Sequence, residues 1–193
     1  MGTWTFDPMH TQVEFSAKHL GMMTVRGHFA EVTATGDLYP DKPERSSVEV
    51  TIRTASIRTH NEQRDNDLRA SYFLEVDKYP TITFKSTKIE TKDPTQGTMT
   101  GDLTIKGITH PVTLDVVKYG EFNDPGMGHR IGYAAETKIN RKDFGMSFDA
   151  MLDGKFVVSH DIKINIEGEL VEVENKVAAG TRSDRSAGAD AKT

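Results

Sequence analysis

Residues 99–116, MTGDLTIKGITHPVTLDV, decide the fold class, because apolar side chains in this stretch recur at every second position. Leu103 and Ile105 alternate with polar residues, and Leu114 and Val116 do the same further along. A period of two places one face of a strand in an apolar interior and the other face in water. Parallel strands buried on both faces read as continuous apolar runs, so this pattern predicts an antiparallel sheet.

The same alternation continues on both sides of this stretch. It places these apolar residues on inward strand faces: Val13, Phe15, Ala17, Val48, Val50, Ile52, Ile131, Tyr133, Ala135, Ile139, Ile162, Ile164 and Ile166. Turn signals rich in proline, glycine and aspartate separate the strands at residues 39–43, 92–97, 120–128 and 152–154. At least eight strands result, which is enough to close an all-β barrel and remove exposed sheet edges.

Two segments interrupt the alternation. Residues 61–74 have the composition of a short helix, with Leu68 and Tyr72 on one face. Residues 140–151 are rich in Phe and Met, and we predict a loop there.

The C-terminal residues differ in composition from the rest of the chain. From about residue 175 large apolar side chains almost vanish, and such a sequence cannot offset the entropy of ordering. We therefore predict one β-barrel domain over residues 1–174 and a disordered tail over residues 175–193.

The chain of 193 residues carries a formal net charge of −5 and contains no cysteine. The lack of cysteine excludes disulfides, thiolate metal sites and cysteine catalysis. The acidic balance argues against nucleic acid as a partner and gives no broad basic surface for anionic membranes. No apolar run approaches the roughly 20 residues of a transmembrane helix. The N-terminal residues lack a secretory signal, so we expect a cytoplasmic protein unless a leader was removed.

Three histidines at regular spacing raise the question of a metal site. His10, His19 and His28 recur every nine residues. On strands an odd spacing places successive side chains on opposite faces, so these three do not form a common ligand set by spacing alone. We predict no metal site, and individual polar roles at strand ends or at a mouth.

A polar cluster before the predicted helix has two interpretations. A hydrolase or isomerase acting on an apolar substrate would use His60 or Asp65 as general base. The structural interpretation makes Thr59, His60 or Asn61 the helix cap and pairs Arg64 with a carboxylate. We favour the structural interpretation, because no nucleophile elbow or metalloprotease motif accompanies the cluster.

The apolar interior also has two interpretations. The inward residues could fill an ordinary core, which would suit a ligandless stress-related or interaction module. They could instead line a cavity, because an eight-stranded barrel can hold one small ligand. Loops rich in Met and Phe adapt to irregular apolar partners, and they would suit the mouth of such a cavity. The residues alone leave both interpretations open.

Short segments in a fixed order from Trp4 to about Val173 carry a resemblance to a known family. They are residues 4–8 (WTFDP) with His10, 13–15 (VEF), 18–21 (KHLG), 25–29 (VRGHF), 55–57 (ASI) with Thr59, 61–68 (NEQRDNDL), Phe73, 79–84 (YPTITF), 101–112 (GDLTIKGITHPV), 139–141 (INR) and 143–145 (DFG). On these residues the chain resembles the YceI-like family, also described as polyisoprenoid-binding or lipid-binding YceI domains.

The resemblance implies a lipocalin-like, extended eight-stranded antiparallel barrel with a short helix between strands and an elongated internal tunnel. It further implies that the protein binds a long-chain isoprenoid, a prenyl quinone or a similar amphiphilic lipid, for storage or transport. No enzymatic activity and no other cofactor are attached to the family. Its members are commonly dimeric, so a homodimer is one expectation.

On this basis we expect the ligand to contact inward apolar residues and the loops rich in Met and Phe. The predicted ligand-binding residues are Phe15, Met22, Phe29, Val50, Ile52, Phe84, Leu103, Ile105, Leu114, Tyr133, Ile139, Phe144, Met146, Phe148 and Phe156. His60, Arg64 and Arg141 are the candidates for contact with a polar head group. Arg58 and His110 depart from the usual family pattern, which concerns head-group preference more than the fold.

Overall fold

Segments with alternating apolar residues form the strands of the computed structural model, which describes residues 3–173. In chain order the strands are β1 (Thr3–His19), β2 (Met23–Phe29), β3 (Val32–Thr35), β4 (Glu49–Arg53), β5 (Ile57–Arg58), β6 (Thr81–Thr91), β7 (Gln96–Ile105), β8 (Ile108–Asp124), β9 (Gly128–Asn140), β10 (Met151–Leu152), β11 (Lys155–Phe156) and β12 (Asp161–Val173). The described residues also form one α-helix, α1 (Glu62–Arg69), and two short 3₁₀ turns, Pro43–Arg45 and Thr54–Ser56. The predicted tail, residues 175–193, lies outside the described residues, so the domain division stays a prediction.

Ten of these strands form one antiparallel sheet in the order β3-β4-β6-β7-β8-β9-β12-β1-β2-β5. β2 continues into β3 across Ala30 and Glu31, and β4 continues into β5 across Thr54–Ser56. The two ends of the sheet meet at this corner. There the Ala30 N–H donates to Ser56 O at 3.1 Å, and the Arg53 N–H donates to Glu31 O at 3.0 Å. Pairing therefore runs around a ring, and the predicted antiparallel barrel is confirmed.

The strand count differs from the predicted eight, and the corner explains the difference. When β2 with β3 and β4 with β5 are each counted as one bent strand, the ring contains eight. The bend arises because side-chain hydroxyls replace ladder hydrogen bonds. Thr54 Oγ1 donates to Tyr79 O at 2.8 Å, and Ser56 Oγ donates to Arg53 O at 2.7 Å. The separate hairpin of β10 and β11 lies outside the ring.

Residues 99–116 form most of the hairpin of β7 and β8. Leu103, Ile105 and Leu114 are buried, whereas the polar residues between them face outward, so the predicted alternation is confirmed. The two strands join at Lys106 and Gly107, which both have positive φ (51° and 73°). A two-residue turn of this kind matches the right-handed twist of paired strands.

The helix is shorter than predicted. α1 ends at Arg69 rather than near residue 74, because Ala70 is extended. Phe73 and Leu74 are consecutive and both buried. In an α-helix consecutive side chains point about 100° apart, so the two could not both face the barrel as directly as they do in the non-helical turn.

α1 and its following turn cover one end of the barrel, which we call the helix end. The Lys106 ammonium donates to Ser71 O at 2.7 Å, and the Phe148 N–H donates to Tyr72 O at 3.2 Å. The opposite end, where β1 starts and β8 turns into β9, is called the far end. Within residues 3–173, no helix has the length and apolar character needed to cross a bilayer.

Candidate ligand-binding site

The barrel encloses a cavity of about 610 Å³. Inward side chains from strands around the ring form its wall, from Phe6 towards the far end to Met23 at the helix end. On β12 the lining residues run from Ile162 to Leu170, which corresponds to about 26 Å of strand. The cavity lies within the range of about 300–1,000 Å³ that small-molecule sites occupy.

Most of the apolar residues predicted to bind a ligand line this cavity. They are Phe15, Phe29, Val50, Ile52, Phe84, Leu103, Ile105, Leu114, Ile139, Met146 and Phe148. Most of them lie there because strand alternation fixes which face each side chain occupies. Their inward position is a structural finding, and their contact with a ligand stays a prediction.

Met22 and Phe156 lie outside the cavity on exposed turns. Met22 is in the turn between β1 and β2, and its neighbour Met23 lines the cavity instead. Phe156 is in β11, where its ring packs against His160 with 4.2 Å between the centroids. Both residues belong to short turns, in which strand alternation does not fix the direction of a side chain.

Phe144 and Tyr133 also do not line the cavity, although neither is exposed. Phe144 is fully buried in the loop after β9, with its ring edge-on to His110 at 5.2 Å between centroids. Tyr133 lies in β9, and burial raises the pKa of its hydroxyl. The sequence pattern separated inside from outside correctly here. It did not separate the packed part of the interior from the hollow part.

An aromatic cluster closes the cavity at the helix end, and the sequence analysis identified it only in part. Tyr72, Phe73 and Phe148 all line the cavity. The ring centroids of Phe73 and Phe148 are 5.0 Å apart, and those of Tyr72 and Phe148 are 5.8 Å apart. Such offset contacts stabilise aromatic groups beyond the burial of their surface. The contribution of Phe73 depends on the turn after α1, which the helical prediction did not contain.

Three polar side chains and one exposed methionine line the cavity at the helix end. His19, Met23, Arg64 and Asp67 line it, and we call these four residues the mouth. Met23 is 67% exposed and still lines the cavity, so the cavity reaches solvent here. Arg64 donates through Nε and Nη2 to Thr59 Oγ1 and O, at 2.8 and 2.6 Å. Arg64 therefore contacts a hydroxyl and a carbonyl in place of the predicted carboxylate.

Arg141 lies beneath the loop that follows β9 and is only 1% exposed. Its guanidinium donates to the carbonyls of Ser159, Met146 and Val158 at 3.0, 3.0 and 3.3 Å. Burial lowers the pKa of Arg141, and the nearby Asp149 carboxylate opposes that effect. Although Arg141 touches the cavity wall, its described contacts fix the loop. Contact with a head group stays a prediction.

The residues proposed for catalysis do not meet at the cavity. His60 is exposed, and neither it nor Asp65 lines the cavity. Asp65 is buried and accepts from the Thr59 N–H and hydroxyl at 2.8 and 2.5 Å. Asn61 is the helix cap, as one of the predicted options stated, and accepts from the Arg64 N–H at 2.9 Å. The cluster fixes the start of α1.

One potential set of metal ligands exists among residues 3–173, and of the three regularly spaced histidines it contains only His10. Oxygen and nitrogen atoms of Asp7, His10 and Glu169 lie within 4.8 Å of one another at the far end. Arg130 Nη1 already donates to Asp7 and Glu169 at 2.6 and 2.8 Å. The Arg130 contact, followed by that of His10, holds the pKa of Asp7 well below its usual range. The guanidinium supplies the positive charge that a metal ion would supply.

A family model described as the YceI-like domain matches residues 4–170. Protein YceI of Escherichia coli O157:H7 is 39% identical over 159 residues, which cover 82% of this chain and 81% of that relative. The crystal structure of the Campylobacter jejuni YCEI protein is 36% identical, with a TM-score of 0.71, and the match covers 81% of this chain and 90% of that one.

A more distant structure shares the fold alone. It is a polyisoprenoid binding domain from Saccharophagus degradans implicated in plant cell wall breakdown, with a TM-score of 0.61 at 13% identity. That match covers 90% of this chain and 100% of the other. The barrel, the order of its segments and the family match agree, and the chain therefore belongs to the family of YceI-like domains.

Proposed function

We propose that this protein binds a long-chain isoprenoid or a similar amphiphilic lipid in the barrel cavity and carries or sequesters it. The observation that supports this most directly is the cavity itself, about 610 Å³ in volume and lined mainly by aliphatic and aromatic side chains. A filled barrel would offer no such space, which is why a ligandless module is the weaker hypothesis. The family relationship supports a binding protein rather than a catalyst.

The shape of the cavity supports an elongated ligand with one polar end. Apolar residues line its length, and Arg64 and Asp67 lie at the mouth. Burial of each methylene contributes about 0.8 kcal/mol, so each five-carbon isoprene unit contributes about 4 kcal/mol at most. Several units together offset an association cost of roughly 4–15 kcal/mol. A prenyl chain is therefore long and apolar enough to bind without a catalytic group or a metal.

The distant fold relative supports the same class of ligand, since it is described as a polyisoprenoid binding domain. Its identity to this chain is low, so the apolar cavity wall is the stronger support for this class of ligand.

The test combines identification of copurified lipid with controlled uptake. Protein purified from its host is analysed by native mass spectrometry and by organic extraction. Delipidated protein is then mixed with a prenyl quinone dispersed in detergent, beside the same quinone ring without its prenyl chain. We expect one bound prenyl quinone per chain and no binding of the short analogue. Protein that stays empty in both experiments would contradict the proposal.

A further inference from the structure

Five large apolar side chains are exposed on two turns at the helix end. Met22 and Met23 lie where β1 turns into β2, and Met151, Leu152 and Phe156 lie in the hairpin of β10 and β11. The first four are more than half exposed, and Phe156 is more than one third exposed. We call these five residues the apolar tip. Large exposed apolar patches in folded proteins mark surfaces for a partner or a membrane.

The two turns form one continuous surface. The Leu20 N–H donates to Val157 O at 3.3 Å, which joins the first turn to the residue directly after the hairpin. Met22 and Phe156 line a shared surface cleft. Met151 pairs directly with Phe156 across the hairpin. Met22, Met151 and Phe156 therefore form one group, whereas Leu152 lies on the opposite face of the hairpin, where it pairs with Lys155.

The apolar tip is continuous with the opening of the cavity. Met23 belongs to both the tip and the mouth, and His19, four residues before it, also lines the cavity. Val157, which follows Phe156 directly, lines the cavity as well. A lipid that leaves the cavity beside Met23 would therefore pass along exposed apolar side chains.

The charge around the apolar tip is locally positive, although the chain as a whole is acidic. Among residues 3–173, Lys18 and Lys155 form no ion pair with a carboxylate within 4.0 Å. Lys18 is the next-to-last residue of β1, where its Nζ donates to Thr24 Oγ1 at 2.8 Å, and Lys155 lies in β11. Asp149 and Asp161 are each contacted by a lysine, at 3.2 and 3.0 Å. Asp153, between β10 and β11, is the one carboxylate in the hairpin. Two lysines beside one aspartate give a surplus that favours anionic head groups.

The far end provides a contrast. Met9, Phe122 and Met127 are exposed there, and none of them lines the cavity. The Met9 N–H donates to Asp7 in the irregular part of β1, and the Met127 N–H donates to Asp124 in the turn between β8 and β9. Because these exposed side chains do not adjoin the cavity, the far end serves as an internal control.

We propose that the apolar tip docks on the surface of an anionic lipid bilayer, with the mouth facing the bilayer. The tip side chains would enter the boundary between head groups and acyl chains, as the apolar faces of interfacial proteins do. Lys18 and Lys155 would contact lipid phosphates. This inference rests on the proposed function, because it supplies the surface from which a membrane lipid would enter the cavity.

The test measures cosedimentation of the protein with vesicles. The vesicles contain equal parts phosphatidylcholine and phosphatidylglycerol, and a second set contains phosphatidylcholine alone. In the double variant Met151→Ser and Leu152→Ser, two exposed side chains outside the cavity are replaced, and we expect about a tenfold loss of partitioning. The matched double variant Met9→Ser and Met127→Ser should bind as the unmodified protein does. We expect Lys155→Glu to lose about tenfold on the anionic vesicles only.

Uptake of detergent-dispersed prenyl quinone is measured on the same proteins and separates the two proposals. Normal uptake together with no binding to anionic vesicles would overturn the docking proposal and leave the lipid-binding function standing. Equal vesicle binding by the tip and far-end variants would also overturn it. If sedimentation shows a dimer that the tip variant dissociates, the surface pairs with a second copy and the docking proposal is wrong.

Discussion

At the scale of single residues, buried polar groups in this protein mainly fix neighbouring backbone. Asp65 is the clearest case, because both of its described contacts go to Thr59. A carboxylate beside a histidine in sequence suggests general acid or base chemistry. The sequence could not show that Asp65 faces inward to Thr59 while His60 faces solvent. That difference depends on the positive φ of His60, 60°, which turns the chain at this point.

His129 occupies a different polar environment at the far end. Its ring nitrogens lie 2.9 Å from Glu172 Oε2 and 2.7 Å from Glu121 Oε1. Both contacts are donated hydrogen bonds only when the imidazole carries two protons. The Glu172 contact, followed by that of Glu121, raises the pKa of His129. Trp4 packs edge-on against the ring, with 4.8 Å between centroids.

We predict that His129 stabilises the protein more at mildly acidic pH than at alkaline pH. Because its pKa is raised on folding, the stabilisation is complete below the unfolded value of about 6.5 and is lost as the pH rises through the folded pKa. The variant His129→Gln should therefore lose on the order of 1 kcal/mol at about pH 6 and less as the pH approaches about 9. Urea denaturation at a series of pH values measures the difference.

His60→Asn serves as the control, because residues 3–173 give His60 no carboxylate contact within 4.0 Å and asparagine tolerates positive φ. Its free energy of unfolding should change by less than about 0.5 kcal/mol, because His60 is exposed. If the deficit of His129→Gln grew with rising pH, the assigned role would be wrong.

At the scale of elements, close packing between neighbouring strands depends on particular glycines. Gly27 in β2 pairs with Phe15 in β1. A Cβ at Gly27 would lie 2.5 Å from Phe15 Cζ, 2.7 Å from Thr59 Cγ2 and 2.8 Å from Arg58 O. The missing side chain thus allows the Phe15 ring to enter the cavity wall while β5 packs against β2.

We predict that Gly27→Ala destabilises the protein by about 2 kcal/mol or more, because one of the clashing atoms belongs to the backbone and cannot rotate away. Thermal and chemical denaturation measure the loss. Gly120→Ala is the matched control, since a Cβ there meets no heavy atom within 4 Å. Its stability should change by less than about 0.5 kcal/mol. Equal destabilisation by the two variants would show that strand propensity, and not packing at the corner, is responsible.

Element type was more predictable than element length. The alternation around Leu103 and Leu114 predicted strands of an antiparallel sheet correctly, since the direction of a strand side chain depends on local geometry. The predicted C-terminal end of α1 was wrong, because burial of Phe73 and Leu74 against the barrel outweighed the helical composition of residues 61–74. The corner at Thr54–Ser56 depends on a local hydrogen bond to Arg53 and on one to Tyr79, which only the folded chain brings close.

At the scale of the whole molecule, the question left open by the sequence was whether the interior is filled or hollow. A filled and a hollow barrel show the same alternation of apolar residues. The alternation indicates which side chains face inward, and it does not indicate the distance across the barrel. Phe144 and Phe148 illustrate this, since both were predicted to contact ligand and only Phe148 lines the cavity. The volume of the interior depends on the number of strands in the ring and their tilt. Neither quantity can be obtained from the period of a single strand.

We predict that Ala135→Phe reduces uptake of a prenyl quinone by about tenfold or more while the protein remains folded. Ala135 lies in β9, pairs with Ile166 and lines the cavity. Burial of a phenyl ring there contributes about 1.5–3 kcal/mol, and overpacking costs about 1–3 kcal/mol. The free energy of unfolding should therefore change little, and the volume available to a ligand should fall. Fluorescence titration measures uptake, and urea denaturation measures stability.

Ala134→Phe is the matched control, because this neighbour in β9 pairs with Glu167 and does not line the cavity. Alternation places its side chain on the outer face of the barrel, so the same increase in size should leave uptake unchanged. If the cavity were only unfilled space, Ala135→Phe would raise stability without altering uptake. If the ligand bound on the outer surface, the control would lose uptake instead. A selective loss at Ala135 would place the ligand inside the barrel.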